Sequence, residues 1–86
     1  MKVYIAYRTE TDYEREVIDY LRDFYHQTGK QLERIDPDTR EGDAKCKVYD
    51  IVEFPTVIAV DEKGVLHNIW RGSPLPLIGE VGYYAE

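Results

Sequence analysis

Hydrophobic positions fall into short blocks whose periodicity changes along the chain. Val3–Tyr7 is rich in β-branched and aromatic residues, which predicts a buried strand. Apolar residues then recur with helical spacing at Val17, Leu21 and Phe24, and Gly29 is a typical C-terminal stop. This part of the chain therefore predicts a strand followed by a helix of about four turns.

The same helix has a start signal at Thr11. Thr11 and Glu14 have the spacing of a capping box, in which the threonine hydroxyl caps the helix and the glutamate carboxylate reaches back to the threonine amide. We therefore expect Thr11 to be the N-cap residue.

The middle of the chain predicts a second strand and a short second helix. The strand covers Gln31–Asp36 and ends at the turn signal Asp36–Asp38, which contains a proline. The helix covers Gly42–Tyr49, and we expect Ala44 and Val48, four residues apart, to form its apolar face.

The last third of the chain predicts a hairpin and a final helix. Thr56–Val60 is an unbroken apolar run of strand length, as expected for a strand that is covered on both faces. A turn closing at Gly64 leads into a returning strand at Val65–Trp70. Ser73-Pro74 has the pattern of an N-cap followed by proline at the first helical position.

These elements have the order β-α-β-α-β-β-α within one predicted domain, residues 1–86. The first two connections each contain a helix, which implies parallel pairing, whereas the tight turn implies an antiparallel pair. The fold class is therefore α/β, with a mixed four-stranded sheet and helices on both faces.

Charge and cysteine content narrow the possible functions. The net charge is −6, and acidic residues outnumber basic ones between Glu10 and Asp43, so we expect binding neither to nucleic acid nor to an anionic membrane. Cys46 is the only cysteine, which rules out a disulfide within the 86 residues. The apolar start is too short for a signal peptide, and the cytoplasm is the expected compartment.

The element order and the segment around Pro55 resemble the thioredoxin and glutaredoxin superfamily. Tyr49–Val60 is similar to the thioredoxin stretch Tyr-Gly-Val-x-x-x-Pro-Thr with its following apolar strand. The later Trp70–Gly72 segment resembles the family's last hairpin and its closing glycine. The resemblance covers nearly the whole chain and implies a thioredoxin-like fold.

The resemblance also implies a site. In the family, the proline is cis, and the residue before it offers backbone groups to an extended peptide or to glutathione. Transferred to this chain, Pro55 would be cis and Phe54 would offer those groups, with Thr56 following them. The family's Cys-x-x-Cys is replaced by Thr11–Glu14, so the dithiol mechanism is not expected.

Other candidate residues lie around this site. Arg8 occupies the position at which glutaredoxins often have a lysine that contacts glutathione. Tyr13 adds an aromatic group at the segment that replaces the family's cysteine pair. Cys46 is a possible reactive thiol, although we expect it to be buried. His26 and His67 have no further ligands at suitable spacing, so we predict no metal site and no cofactor.

Three function classes follow. The first is a redox-inactive binding or adaptor module that uses the proline groove for a peptide or protein partner. The second is a thiol- or glutathione-dependent oxidoreductase-like enzyme that uses Cys46 or the edge formed by Arg8 and Pro55. The third, ranked below them, is a regulatory protein similar to the circadian KaiB-like proteins, which also have a cysteine-free thioredoxin-like half. We favour the first, non-enzymatic class.

Overall fold

The computed structural model describes residues 1–85 and contains the predicted order of strands and helices. Its elements are β1 (Lys2–Ala6), α1 (Glu14–Thr28), β2 (Glu33–Ile35), α2 (Arg40–Val48), β3 (Thr56–Val60), β4 (Leu66–Arg71) and α3 (Ile78–Tyr84). The strands form one mixed four-stranded sheet in the order β2-β1-β3-β4. The predicted α/β class and the predicted element order are therefore confirmed.

The pairing within the sheet differs from the prediction at the second helical connection. Strands β1 and β2 are parallel, as expected, and β3 and β4 form the predicted antiparallel hairpin. However, β3 pairs with β1 and runs antiparallel to it, with Ala6 opposite Thr56. The expectation that both helix-containing connections give parallel strands is therefore wrong for the second one.

β3 runs antiparallel to β1 because the segment after α2 runs in the direction opposite to the helix. The Tyr49 hydroxyl donates to the Gly64 carbonyl at 3.3 Å, so the C-terminal end of α2 lies beside the turn between β3 and β4. Asp50 then adopts a left-handed conformation with φ 56°, and the chain returns to the edge where β1 ends. Because the return segment runs opposite to the helix, β3 starts at the edge where β2 stopped.

The two faces of the sheet bury separate apolar clusters. On one face, Val17 and Phe24 of α1 and Val81 of α3 pack on β1 and β3. On the other face, Cys46 of α2 packs with Ile58 and other strand residues. Successive residues of β3 alternate between the two clusters, as strand geometry requires. All five residues of β3 are buried, which agrees with the apolar run Val57–Val60 that makes up most of the strand.

The buried face of α2 is not the predicted one. Gly42 and Cys46 face the sheet, whereas Ala44 is exposed and Val48 is 75% exposed. A Cβ atom on residue 42 would overlap the carbonyl of Asp36, so only glycine permits this close approach of helix and strand end.

The start of α1 also differs from the predicted capping box. The helix begins at Glu14, and Tyr13 occupies the N-cap position without a side-chain hydrogen bond to the helix. The Thr11 hydroxyl donates instead to the carbonyl of Arg8 at 3.1 Å. The Glu14 carboxylate accepts the Glu10 amide at 3.0 Å, because the chain turns at Glu10, where φ is 58°.

The last helix begins later than Ser73-Pro74 suggested. It starts at Ile78, and Leu77 before it is extended, with ψ 139°. A second proline, Pro76, disfavours helical backbone at Leu75 and so opposes a helix that starts at Pro74. None of the helices within residues 1–85 is long and apolar enough to span a membrane.

Candidate functional site at the proline edge

Several chain segments meet at one edge of the sheet. Ala6, the last residue of β1, pairs with Ile35 at the end of β2 and with Thr56 at the start of β3. Phe54 and Pro55 immediately precede β3, so they lie at this edge, which we call the proline edge. The Phe54–Pro55 peptide bond is cis.

Arg8 and Phe54, both candidates from the sequence, are in direct contact. The Arg8 guanidinium lies 4.9 Å from the centroid of the Phe54 ring, within the range of a cation–π interaction. Its Nε is also 3.3 Å from an Asp38 carboxylate oxygen. Because both charged side chains are about half exposed, this ion pair contributes little stability, but it neutralises Arg8 and orients it over the ring.

The side chains of Thr11 and Tyr13 form hydrogen bonds with the backbone of Arg8. The Arg8 amide donates to the Tyr13 hydroxyl, and the Thr11 hydroxyl donates to the Arg8 carbonyl, both at 3.1 Å. The Tyr13 ring packs against the cluster under α1. These two candidates therefore hold the loop 8–13 in place beside Phe54.

Pro55 and Thr56 are buried and also serve to position the site. The Thr56 hydroxyl donates to the Glu53 carbonyl at 2.7 Å, and the Pro55 carbonyl accepts the Gly72 amide at 2.8 Å. These bonds tie the segment before β3 to the end of β4. Neither side chain is available to a ligand, since Thr56 is 0% exposed and Pro55 is fully buried.

Phe54 differs from its neighbours because its backbone is unpaired. Within residues 1–85, neither its N–H nor its C=O takes part in a hydrogen bond, and the residue is only half-buried. Arg8 of loop 8–13 contacts the Phe54 ring, and Gly72 of loop 72–77 donates its amide to the carbonyl of the next residue, Pro55. The Ser73 hydroxyl donates to the Glu16 carboxylate at 3.2 Å, which joins α1 to the second loop.

Cys46, the candidate thiol, lies in the hydrophobic core and not on the surface at the proline edge. It is 5% exposed and belongs to the cluster between α2 and the sheet. Burial raises the pKa of the Cys46 thiol, the nearby Asp43 charge raises it further, and Arg8 partly opposes them. Since the thiolate is the nucleophilic form, this environment disfavours thiol chemistry at neutral pH.

We therefore expect Cys46 to react slowly with an aromatic disulfide reagent in the folded protein. The rate should be more than roughly tenfold below that in denaturing urea, because the thiol becomes accessible only when the chain opens. The measurement is the absorbance of the released thiolate over time. Equal rates with and without urea would contradict the burial of Cys46.

The histidines do not join the proline edge. His67 Nε2 lies 2.9 Å from Asp61 in the turn at the opposite end of β3, and His26 packs edge-on to Tyr25 near the end of α1. The hydrogen bond with His67 lowers the pKa of the Asp61 carboxyl, and hydrogen bonds from backbone amides of the turn also lower it. Among residues 1–85, no three histidine, cysteine or acidic side chains are grouped to hold a metal ion.

A cavity lies at the opposite end of the sheet from the proline edge, between Tyr4, Tyr49 and Asp61. Several of its polar groups are already engaged: the Tyr49 hydroxyl donates to the Gly64 carbonyl, the Asp61 carboxylate accepts from the Val65 amide of its own turn, and Lys2 is paired with Glu33. We give more weight to the proline edge, where backbone groups remain unpaired.

Three contributors to the proline edge were not predicted from the sequence. Asp38 pairs with Arg8, Glu16 accepts from Ser73, and a Glu53 carboxylate oxygen lies against Gly72. The position of Asp38 just after β2 was an available signal, because parallel strands end at the same edge. No comparable signal marked the two glutamates.

Comparison with known proteins supports the fold. No protein-family model and no curated protein sequence matches the chain. Among solved structures, it is similar to thioredoxin 1 from the thermophilic eubacterium Thermosipho africanus TCF52B, with a TM-score of 0.66 and 17% identity. The match covers 98% of this chain and 89% of that chain. The chain therefore has a thioredoxin-like fold.

Proposed function

We propose that this protein is a redox-inactive thioredoxin-like module that binds an extended peptide segment at the proline edge. The observation that carries this proposal is the unpaired backbone of Phe54 between two loops. An unpaired N–H and C=O are what an extended peptide needs to add main-chain hydrogen bonds. The surrounding side chains are already fixed by contacts within the protein, so little ordering would accompany binding.

The absence of a dithiol supports the redox-inactive part of the proposal. The dithiol mechanism of the family uses an attacking thiolate and a second, resolving thiol in the same domain. This chain has Cys46 alone, and Thr11 and Glu14 occupy the positions that resemble the family's cysteine pair. A threonine hydroxyl stays protonated at neutral pH and forms no mixed disulfide.

The redox part is tested by reduction of insulin disulfides in the presence of dithiothreitol. We expect no rate above that of the reductant alone, and no difference between the protein and its Cys46→Ala variant. Turnover that the Cys46→Ala change abolishes would instead support the oxidoreductase hypothesis.

The binding part is tested with two substitutions at one position. Phe54→Pro removes both the ring and the N–H donor, whereas Phe54→Ala removes the ring alone. The probe is a fluorescein-labelled, acetylated and amidated peptide of alternating valine and serine, and the readout is fluorescence anisotropy. Circular dichroism of each variant verifies its fold.

We expect the Phe54→Pro variant to bind at least roughly fivefold more weakly than Phe54→Ala, because one main-chain hydrogen bond contributes about 1 kcal/mol. Equal affinities of the two folded variants, or no binding by the unmodified protein, would contradict the proposed site.

A further inference from the structure

The sheet ends in two edge strands, β2 and β4, which differ in length and charge. An edge strand presents unpaired N–H and C=O groups, and short length or charged side chains normally keep other chains from pairing with it. β2 has three residues, of which Glu33 and Arg34 are charged. β4 has six residues, and Arg71 is the only one with a formal charge at neutral pH. Length and charge therefore protect β2 but not β4.

The hydrogen bonds of the hairpin determine which β4 amides point away from β3. The Gly72 amide donates to the Pro55 carbonyl, so Gly72 belongs to a hydrogen-bonded pair. Along an antiparallel strand, hydrogen-bonded and non-hydrogen-bonded pairs alternate, and the register is regular from Asn68 to Arg71. The amides of Arg71 and Ile69 therefore point to the free side of β4.

Asn68 covers one of these two outward amides. Its Oδ1 accepts the Ile69 amide at 2.8 Å, and its Nδ2 donates to the Tyr84 hydroxyl of α3 at 3.3 Å. Both ends of the side-chain amide are thus engaged, and the contact with α3 fixes its orientation. A further strand could reach the Ile69 amide only by displacing the Asn68 side chain.

The shape and charge of β4 suit a second copy of the same strand. Two β4 strands related by a two-fold axis at Ile69 run antiparallel, so the outward N–H and C=O of each Ile69 face those of the other. This arrangement puts the two Arg71 side chains at opposite ends of the pair, where they do not repel each other strongly. Leu66 is 36% exposed and Val65 is 55% exposed, so apolar surface also becomes covered.

We infer that Asn68 is an edge cap that prevents β4 from pairing with β4 of a second copy of this chain. The cap withholds the Ile69 amide, which the two-fold pair needs for its central hydrogen bonds. It therefore takes the part that length and charge play at β2. This inference concerns the free side of β4 and does not depend on peptide binding at the proline edge.

Hydrogen exchange of the ¹⁵N-labelled, unmodified protein tests the cap without any substitution. After correction for intrinsic sequence effects, we expect the Ile69 amide to exchange at least roughly tenfold more slowly than the Arg71 amide. Both amides point outward, and Asn68 caps the first. Equal corrected rates would overturn the inference.

Sedimentation velocity over a dilution series tests the consequence for assembly. Asn68→Val removes the cap and introduces a good strand residue. We expect its dimerisation constant to be at least roughly tenfold above that of the unmodified protein, since two Ile69 amides become free in each pair. Adding Ile69→Pro to this variant should restore the monomer, because proline has no N–H and is tolerated where the amide points out of the sheet. Circular dichroism verifies the fold of each variant.

His67→Val is the matched control, because it adds the same apolar side chain to β4 and leaves Asn68 on the Ile69 amide. It should dimerise no more strongly than the unmodified protein. A folded Asn68→Val variant that stays monomeric, or one that dimerises no more strongly than His67→Val, would overturn the inference. If Asn68→Val does not fold, the exchange rates of the unmodified protein decide.

Discussion

Replacing Phe24 with alanine is expected to lower the free energy of unfolding by about 3–5 kcal/mol. Phe24 is 0% exposed and is the largest fully buried side chain, in the cluster that joins α1 and α3 to the sheet. Its removal costs the transfer free energy of the ring and leaves a cavity that a short chain cannot collapse. Chains of this length have total stabilities of roughly 4–13 kcal/mol, so the loss is a large part of the whole.

The measurement is urea unfolding followed by circular dichroism. Tyr25→Ala is the matched control, because Tyr25 is the next residue of the same helix and is 50% exposed. It should cost about 1 kcal/mol or less. Similar losses for the two variants would mean that α1 packs on the sheet with a different face.

Replacing Gly42 with alanine is also expected to lower the free energy of unfolding substantially. Alanine is the better helix former by about 1 kcal/mol, so propensity alone would stabilise α2. The new Cβ, however, would overlap the backbone carbonyl of Asp36, which cannot rotate away as a side chain can. We expect a net loss of about 2–4 kcal/mol as helix and strand end separate.

Gly79→Ala provides a control of opposite sign. Gly79 lies in α3, and a Cβ there would have no atom within 4 Å. The same substitution should therefore raise stability by a few tenths to about 1 kcal/mol. A Gly42→Ala variant as stable as the unmodified protein would contradict the close approach of α2 to the end of β2.

The elements predicted most accurately from the sequence are those whose hydrophobic pattern matches their burial in the fold. The bounds of Thr56–Val60 agree with those of β3 because a strand covered on both faces is largely apolar, and its one polar side chain, Thr56, is satisfied by the Glu53 carbonyl. The amphipathic repeat of α1 likewise identified its buried residues Val17 and Phe24. In both cases, the local pattern and the tertiary packing favour the same structure.

Other features depend on contacts that no local pattern contains. Gly42 faces the sheet because the helix approaches a distant carbonyl, and hydropathy favoured Ala44 and Val48 instead. Thr11 does not cap α1 as predicted, because the chain turns at Glu10 and the Glu14 carboxylate accepts the Glu10 amide instead. The direction of β3 depends on the return path after α2, which the helical connection alone did not indicate.

The candidate site was predicted in the same uneven way. The family resemblance grouped Arg8 with the segment around Pro55, and Arg8 is in contact with Phe54 in the structure. The predicted parallel pairing would instead have put the end of β1 and the start of β3 at opposite ends of the sheet. The positions of Glu16 and Glu53 were not predicted, because Glu16 of α1 and Glu53 before β3 meet Ser73 and Gly72 through contacts between segments far apart in sequence.

Chemical-shift mapping of the ¹⁵N-labelled protein with the valine–serine peptide tests the central claim most directly. We predict that the largest amide shifts lie in segments 8–13, 53–56 and 71–74, around the unpaired backbone of Phe54, and that reduced glutathione leaves the spectrum unchanged. Shifts confined to the cavity between Tyr4 and Tyr49, or no shifts with the peptide, would contradict a peptide-binding proline edge.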